Sequence, residues 1–336
     1  VIEPAGCVGE YILQEINVDV FPNPHWIMQN LDRLLQYHHY PGLDLVKSTN
    51  GKTWVSDSNG RYFRMFSYIE NSAPSHTPDS HIYFEAGEAV GVFHSRFWNF
   101  DARLLHPTIA GFHDTPKRLA RFLDVVERAA PKVLHEAQKE ISFVKNWSGI
   151  APLITQKLST GVIPYRVTHN DTKLENVLFD QAGNAICLID FDTVMPGAIA
   201  WDVGDSVRSM ANRVSEEETD VTKAGFQFPH FQAFISGYAG IMDGYLSVEE
   251  VNSLVEGCLV IPYEQGMRFL TDYLQGDQYY SIQYPNQNLI RSRIQFKFLT
   301  EVLSRKEEMN IFLRKAFPLS LSQTDYSDSS KSSIVG

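Results

Sequence analysis

The stretch Thr168-His169-Asn170-Asp171-Thr172-Lys173-Leu174-Glu175-Asn176, followed later by Ile189-Asp190, carries the residue types that phosphoryl transfer needs. In that reaction a protein does little covalent chemistry. It holds a hydroxyl in line with a γ-phosphate and neutralises the charge that spreads as the phosphoryl group moves. Asp171 has the carboxylate to accept or orient the hydroxyl proton. Asn176 and Asp190 offer hard oxygens of the kind Mg²⁺ takes, and Lys173 can bring a cation beside the transferring group. The order His-x-Asp, four residues, Asn, and then an Asp ending an Ile-rich strand is that of kinase catalytic and metal-binding loops. A lone His-x-Asp carries no information, and Asn and Asp are common turn residues. Here four positions match together.

These groups need a strand, a polar loop and a hairpin to hold them. Tyr165–Thr168, Val177–Phe179 and Ala185–Ile189 read as strands, the last two joined by the turn Gln181-Ala182-Gly183-Asn184. Such a hairpin brings Asn176 and Asp190 together although they are fourteen positions apart. Upstream, Tyr11–Ile16, Thr53–Val55 and Tyr62–Phe66 read as strands. Ile27, Leu31, Leu34 and Leu35 have helical spacing between His25 and His39. The texture changes after Glu70, through a Ser-, Pro- and Thr-rich run from 71 to 78, into long helical periodicities at 79–97, 118–129 and 131–147. Ser247-Val248-Glu249-Glu250 is a capping box opening a helix toward Leu270, and Leu289–Leu303 carries another apolar stripe. The spacing predicts an α+β architecture with a small β-rich lobe over 1–69, a larger, mostly helical lobe over 70–319, and a disordered Ser- and Asp-rich tail over 320–336.

With 336 residues the chain exceeds what one compact core usually holds, which also favours two lobes. Its 29 Lys and Arg against 40 Asp and Glu leave a formal net charge of −11, which repels phosphate backbones and anionic membranes. No apolar run reaches the roughly 20 residues of a membrane helix. Cys7, Cys187 and Cys258 have no paired spacing and suit a reducing compartment. The expectation is a cytoplasmic protein, monomeric, with no nucleic-acid or membrane partner. The sequence opens on Val1 in what reads as a strand, so N-terminal sequence is expected to precede it.

The sequence resembles the N-acetylhexosamine 1-kinases, within the kinase-like superfamily of aminoglycoside phosphotransferases, choline kinases and small-sugar kinases. The phrases that carry the resemblance are Tyr11-Ile12-Leu13-Gln14, Phe112-His113-Asp114-Thr115-Pro116, Arg166 to Leu174, Ile189-Asp190 with Asp192-Thr193, Met195-Pro196-Gly197, Gly204-Asp205-Ser206 and Gly266-Met267-Arg268-Phe269-Leu270. They run in order to about residue 300. The resemblance implies a bilobal protein-kinase-like fold that uses ATP and Mg²⁺ to phosphorylate the anomeric hydroxyl of a small sugar in the cleft between lobes. It makes Asp171 the catalytic aspartate, Asn176 and Asp190 the magnesium ligands, and Arg268 and Tyr279 sugar contacts. Adenine is expected at a hinge near Phe66, Tyr68 and Ile69, with Gln14 on the nucleotide side where protein kinases carry a lysine. Asp32 is the nearest acidic partner for that position, and Asp192 is either a second metal contact or a loop brace.

One departure stands out. The family carries a Gly-rich loop and a sugar-reaching histidine between its first two strands. Here only Gly6-Cys7-Val8-Gly9 separates Val1–Ala5 from Glu10–Ile16. The expectation is that residues are omitted at Gly6–Cys7. A true absence would favour a nucleotide-binding pseudokinase, and a kinase of another small hydroxyl substrate, such as an aminoglycoside or choline, is the enzymatic alternative.

Overall fold

The computed structural model describes residues 9–72 and 79–322. The strand expected at Val1–Ala5 and the Gly6–Cys7 junction lie outside them. The small part of the fold comprises β1 (Tyr11–Ile16), α1 (Pro24–Tyr37), β2 (Trp54–Ser56) and β3 (Tyr62–Ser67). The remainder begins with α2 (Ser80–Arg96), α3 (Thr115–Arg128), α4 (Pro131–Glu136), α5 (Gln138–Asn146) and α6 (Leu153–Ser159). Four short strands follow: β4 (Arg166–Thr168), β5 (Val177–Phe179), β6 (Ala185–Leu188) and β7 (Met195–Gly197). The chain closes with α7 (Ile199–Met210), α8 (Phe228–Met242), α9 (Val248–Leu274), α10 (Gln287–Ser304), α11 (Lys306–Ala316) and α12 (Pro318–Ser322).

The small sheet is antiparallel in the order β1-β3-β2, with Gln14 directly opposite Arg64. Helix α1 starts on a proline, whose fixed φ suits a first turn, and buries Ile27, Leu31 and Leu34 as their spacing requires. From the same helix the buried Asn30 donates to the carbonyls of His106 and Val194, at 2.8 and 3.0 Å. The small part is thereby tied to the loop that follows Asp190.

In the helical part α2 packs on α8, α7 on α9, and α9 on α10. The α7–α9 crossing is close enough to be backbone on backbone. A Cβ on Gly257 would lie 1.8 Å from the Ala200 carbonyl oxygen, and one on Gly204 would lie 2.4 Å from that of Gly257. This contact sets the height of α7 beneath the Asp171 loop. The capping box forms as the sequence predicts: Ser247 accepts from Glu250 N while the Glu250 carboxylate accepts from Ser247 N. Ser247→Ala should lower stability by about 1 kcal/mol, read from urea unfolding of variant against parent. No change would mean the cap is redundant with the packing of α9.

Three sequence expectations need correction. The single helix over 131–147 is two, broken at Ala137, whose ψ of 12° leaves the helical range. The segment before α7 contains a strand not read from the sequence, β7, that pairs with β4, and α7 starts at Ile199. The disordered tail cannot begin at 320, because Ser320 is fully buried in α12. There Ser320 N donates to Asp243 Oδ1, and Gly244 N donates to Ser320 Oγ. Residues 323–336 lie outside the described range. Among the described residues no helix is long and apolar enough to cross a membrane. Cys187 is buried, and burial pushes its thiol up to about 12, in keeping with an inert core residue.

Candidate active site

The Asp171 loop is held from both ends and from below. Thr168 closes β4 by donating from Oγ1 to Met195 O, and Asn170, at φ 63°, turns the chain in the left-handed region that Asn tolerates. Asp202 on α7 then takes the loop's backbone. Its carboxylate accepts from His169 N and Asn170 N, both at 2.7 Å, and its own carbonyl accepts from Thr172 Oγ1. Ser206 and Ser209 of the same helix hold Thr172 O and Leu174 N. Asp202 is in turn 2.8 Å from His94 Nε2, while His94 Nδ1 faces the Tyr238 hydroxyl at 2.9 Å. The Asp202 carboxylate can only accept, which puts the His94 proton on Nε2 and leaves Nδ1 to accept from the Tyr238 hydroxyl. Burial, followed by the Asp202 charge, pushes the Tyr238 phenol well up. His94 is a buried link in this chain.

Asp171 is half-buried. Its Oδ2 accepts from Lys173 Nζ and from Asn176 Nδ2, each at 2.8 Å, and its backbone carbonyl accepts from Asn176 as well. Its Oδ1 accepts nothing from the described residues. One carboxylate oxygen is therefore fixed and the other presented. Burial alone would disfavour the Lys173 ammonium. The charge and hydrogen bond of Asp171, with Asp205 and Asp190 behind, outweigh it and raise the lysine above its ordinary value. The cation is permanent at neutral pH.

The hairpin places Asn176 and Asp190 as the sequence predicts, with Ile189 N donating to Asn176 O at 2.9 Å. Asp190 is exposed, sits at φ 65°, and its carboxylate makes no hydrogen bond or ion pair among the described residues. Asn176 spends its amide N–H groups on Asp171, which leaves Oδ1 for a cation. Two hard oxygens fit Mg²⁺. Among the described residues no three His, Cys, Asp or Glu side chains gather to hold a metal by themselves, which suits an ion that completes its shell with phosphate oxygens and water.

Asp192 is not an open ligand. Through Oδ1 it is ion-paired to Arg64 of β3, which is 4% exposed, an arrangement that fits the loop-brace reading. Burial pushes the Asp192 carboxyl above its usual range, and Arg64 pulls against that. Gln14 likewise does not face Asp32. Its Oε1 accepts from Arg64 Nε and Nη2 at 3.1 and 3.0 Å, and Asp32 accepts from Thr53 Oγ1. At the hinge, Tyr68 N is committed to Glu10 O, and Ile69 O accepts from Ser72 Oγ. The Ile69 amide remains available, whereas the Tyr68 amide does not. The Phe66 ring lies against the Arg64 guanidinium, 5.1 Å from centroid to Cζ.

Arg268 and Tyr279 come together on the wall of a cavity of about 310 Å³, which also holds Phe112, Arg118, Arg121 and Tyr280. The Arg268 guanidinium sits 5.6 Å from both the Phe112 and Tyr280 rings. Tyr279 is 63% exposed. Asp272 shapes its loop by accepting from the amides of Gln278, Tyr279 and Tyr280 and from Asn288 Nδ2. Asp171 does not line this cavity. The buried Arg208 is paired with Asp205 and Glu216, and its charge interacts with those of both Asp171 and Arg268. Asp205 is thus the buried partner of Arg208.

Sequence reasoning passed over Arg64, Arg118, Arg208 and Glu264. Glu264 accepts from His113 Nδ1 and Thr115 Oγ1 and lies 3.5 Å from Arg118. Burial opposes its ionisation, but His113, Arg118 and Arg268 more than offset it and hold the carboxyl below the usual range. The phrase Phe112–Pro116 was the available signal, because two of its residues, His113 and Thr115, gather around one glutamate of α9.

Among solved structures the chain is similar to an aminoglycoside phosphotransferase from Alicyclobacillus acidocaldarius. Identity is 12%, 91% of this chain and 85% of that chain are covered, and the TM-score is 0.52. It is also similar to a microcompartment-associated aminopropanol kinase, with 16% identity, coverage of 90% and 88%, and a TM-score of 0.57. A spectinomycin phosphotransferase solved with ADP and spectinomycin matches at 13% identity, with coverage of 89% and 86% and a TM-score of 0.54. At these identities the likeness concerns the fold, which is bilobal and protein-kinase-like. The phosphotransferase enzyme family, APH, matches residues 52–234, a span that holds the whole Asp171–Asn176–Asp190 constellation. By that match over more than half its length, the chain belongs to the APH phosphotransferase enzyme family.

Proposed function

We propose that this enzyme transfers the γ-phosphoryl group of ATP to the anomeric C1 hydroxyl of an N-acetylhexosamine, leaving a sugar 1-phosphate and ADP. The observation that carries the phosphotransfer reading is the half-anchored carboxylate of Asp171. Oδ2 is pinned by Lys173 and Asn176, so Oδ1 can accept the hydroxyl proton without the group turning. Lys173 offsets charge beside the reacting oxygen. Asn176 Oδ1 and Asp190 would hold Mg²⁺, which supplies charge neutralisation on the ATP phosphates when bound. Nucleotide binding belongs to the sheet and hinge of 1–69, with the Ile69 amide as the adenine donor, and the acceptor sugar belongs to the large lobe.

Support for the sugar comes from the resemblance and from the charge of the cavity. Arg118, Arg121 and Arg268 line it against Asp19 and Asp272, and Asp272 is spent on its loop amides and Asn288. Guanidinium and phenol groups suit sugar hydroxyls and an acetamide oxygen, whereas an arginine-rich wall repels an aminoglycoside or a quaternary amine.

The decisive assay is coupled ADP release with ATP and Mg²⁺ across N-acetylglucosamine, N-acetylgalactosamine, glucose, choline and an aminoglycoside. Turnover with the N-acetyl sugars above glucose, and none with the cations, is the expected result. Preferred turnover of choline or an aminoglycoside would overturn the sugar assignment. Absence of turnover with every acceptor, together with intact nucleotide binding, would favour the pseudokinase.

A further inference from the structure

We propose that Arg64 is a positioning residue for the metal-bearing loop, acting through Asp192 in place of the lysine–glutamate pair that protein kinases carry in their small lobe. This rests on the phosphotransfer reading above but not on the identity of the sugar.

Protein kinases keep their upper-lobe cation active with a helical glutamate, and the metal-binding Asp must be in place at the same time. Here the strand position expected for that cation is Gln14, and the nearest acidic residue of α1, Asp32, is turned to Thr53. The cation sits instead on the neighbouring strand. Arg64 lies opposite Gln14 in the β1–β3 ladder, receives its amide oxygen on Nε and Nη2, and reaches out of the small sheet to pair with Asp192. Asp192 is two residues beyond Asp190, within the helical turn Phe191–Thr193. The two halves of the fold are thus joined at the loop that carries Asp190.

Two features argue against a merely structural pair. Arg64 is 4% exposed, and its Nη1 is buried without an acceptor among the described residues. A buried ion pair of this kind gains little stability over a well-packed apolar pair, and an unpaired buried donor adds a further cost. In addition, no described residue orients the Asp190 carboxylate: it is exposed, left-handed and unbonded among the described residues. Its placement depends on Ile189, fixed by Asn176, on one side and on Asp192, fixed by Arg64, on the other.

The test compares Arg64→Met, Asp192→Asn, their double variant and Arg64→Lys by calorimetric titration of ADP with and without Mg²⁺, alongside thermal melts. Each single change should weaken the Mg²⁺-dependent part of ADP binding by about 10- to 100-fold and leave metal-free ADP affinity unchanged. The double variant should be no weaker than either single, and Arg64→Lys should recover part of the loss. Should Arg64→Met fail to fold, the near-isosteric Asp192→Asn carries the comparison alone. Parental Mg²⁺ coupling in the single variants, equal loss of metal-free affinity, or additive losses in the double variant would overturn the proposal. Parent protein that binds no Mg·ADP would sink it along with the phosphotransfer reading. Intact coupling in the parent, with no turnover of any N-acetyl sugar, would reject only the acceptor.

Discussion

Asp171→Asn should lower kcat by about 10²- to 10⁴-fold, the range lost when a positioned general base is removed, while KM for ATP changes little. The amide is nearly isosteric, and its oxygen can still accept from Asn176 Nδ2, so the loop geometry survives. What disappears is the proton-accepting oxygen and the charge that holds Lys173 at 2.8 Å. Initial rates with saturating ATP and the preferred acceptor read the effect directly. Turnover within a few-fold of the parent would remove Asp171 from the chemistry, and with it the main support for the site as described.

Asp202→Ala should cost about 3–5 kcal/mol of stability, as expected when one charged partner of a buried hydrogen-bonded network is removed. The Asp202 side chain is fully buried and satisfies the amides of His169 and Asn170 and the Nε2–H of His94. After truncation three donors are left without acceptors in the interior. The loop that carries Asp171 loses its fixed height above α7, so catalysis should fall with it. Urea unfolding reads the global term. Amide hydrogen exchange at His169 and Asn170 reads the local one, and both should become strongly less protected. Unchanged protection at these amides would show that β4 and β7, rather than Asp202, hold the loop.

The order of effects follows from where each group stands. Asp171 is proposed to act on the acceptor hydroxyl, so its loss should be seen in kcat. Asp202 acts through backbone, so its loss is seen first in stability and exchange. Arg64 acts through Asp192 on the metal site, so its loss is seen in Mg²⁺ coupling. Each therefore has a readout the others leave largely unmoved.

Much of the site was legible because its information is local. Asp171, Lys173 and Asn176 are within six residues of one another, and a tight hairpin returns Asp190 to Asn176. Short-range turn and strand preferences are enough to build that unit. The capping box at Ser247 is local in the same way. Apart from the break of the 131–147 helix at Ala137, the departures from expectation were long-range. His94 reaches Asp202 across 108 positions. Arg64 and Asp192 come from different halves of the fold, and nothing in either local sequence marks one as the other's partner. Asp192 reads from sequence as either a second metal contact or a loop brace, and the buried Arg64 guanidinium opposite it favours the brace. Gln14 is expected on the nucleotide side from its position where protein kinases carry a lysine, and its partner Arg64 comes from across the β1–β3 ladder.

By itself, then, the sequence determined the phosphotransfer constellation, the helix stripes and the small β-rich region, because each is written in the spacing of residues a few positions apart. The tertiary structure alone decided which buried charges are neutralised, by which partners and at what height the reactive loop sits. Those outcomes depend on the desolvation and pairing of side chains brought together by packing, such as Gly257 against the Ala200 carbonyl, and no periodicity along the chain encodes them.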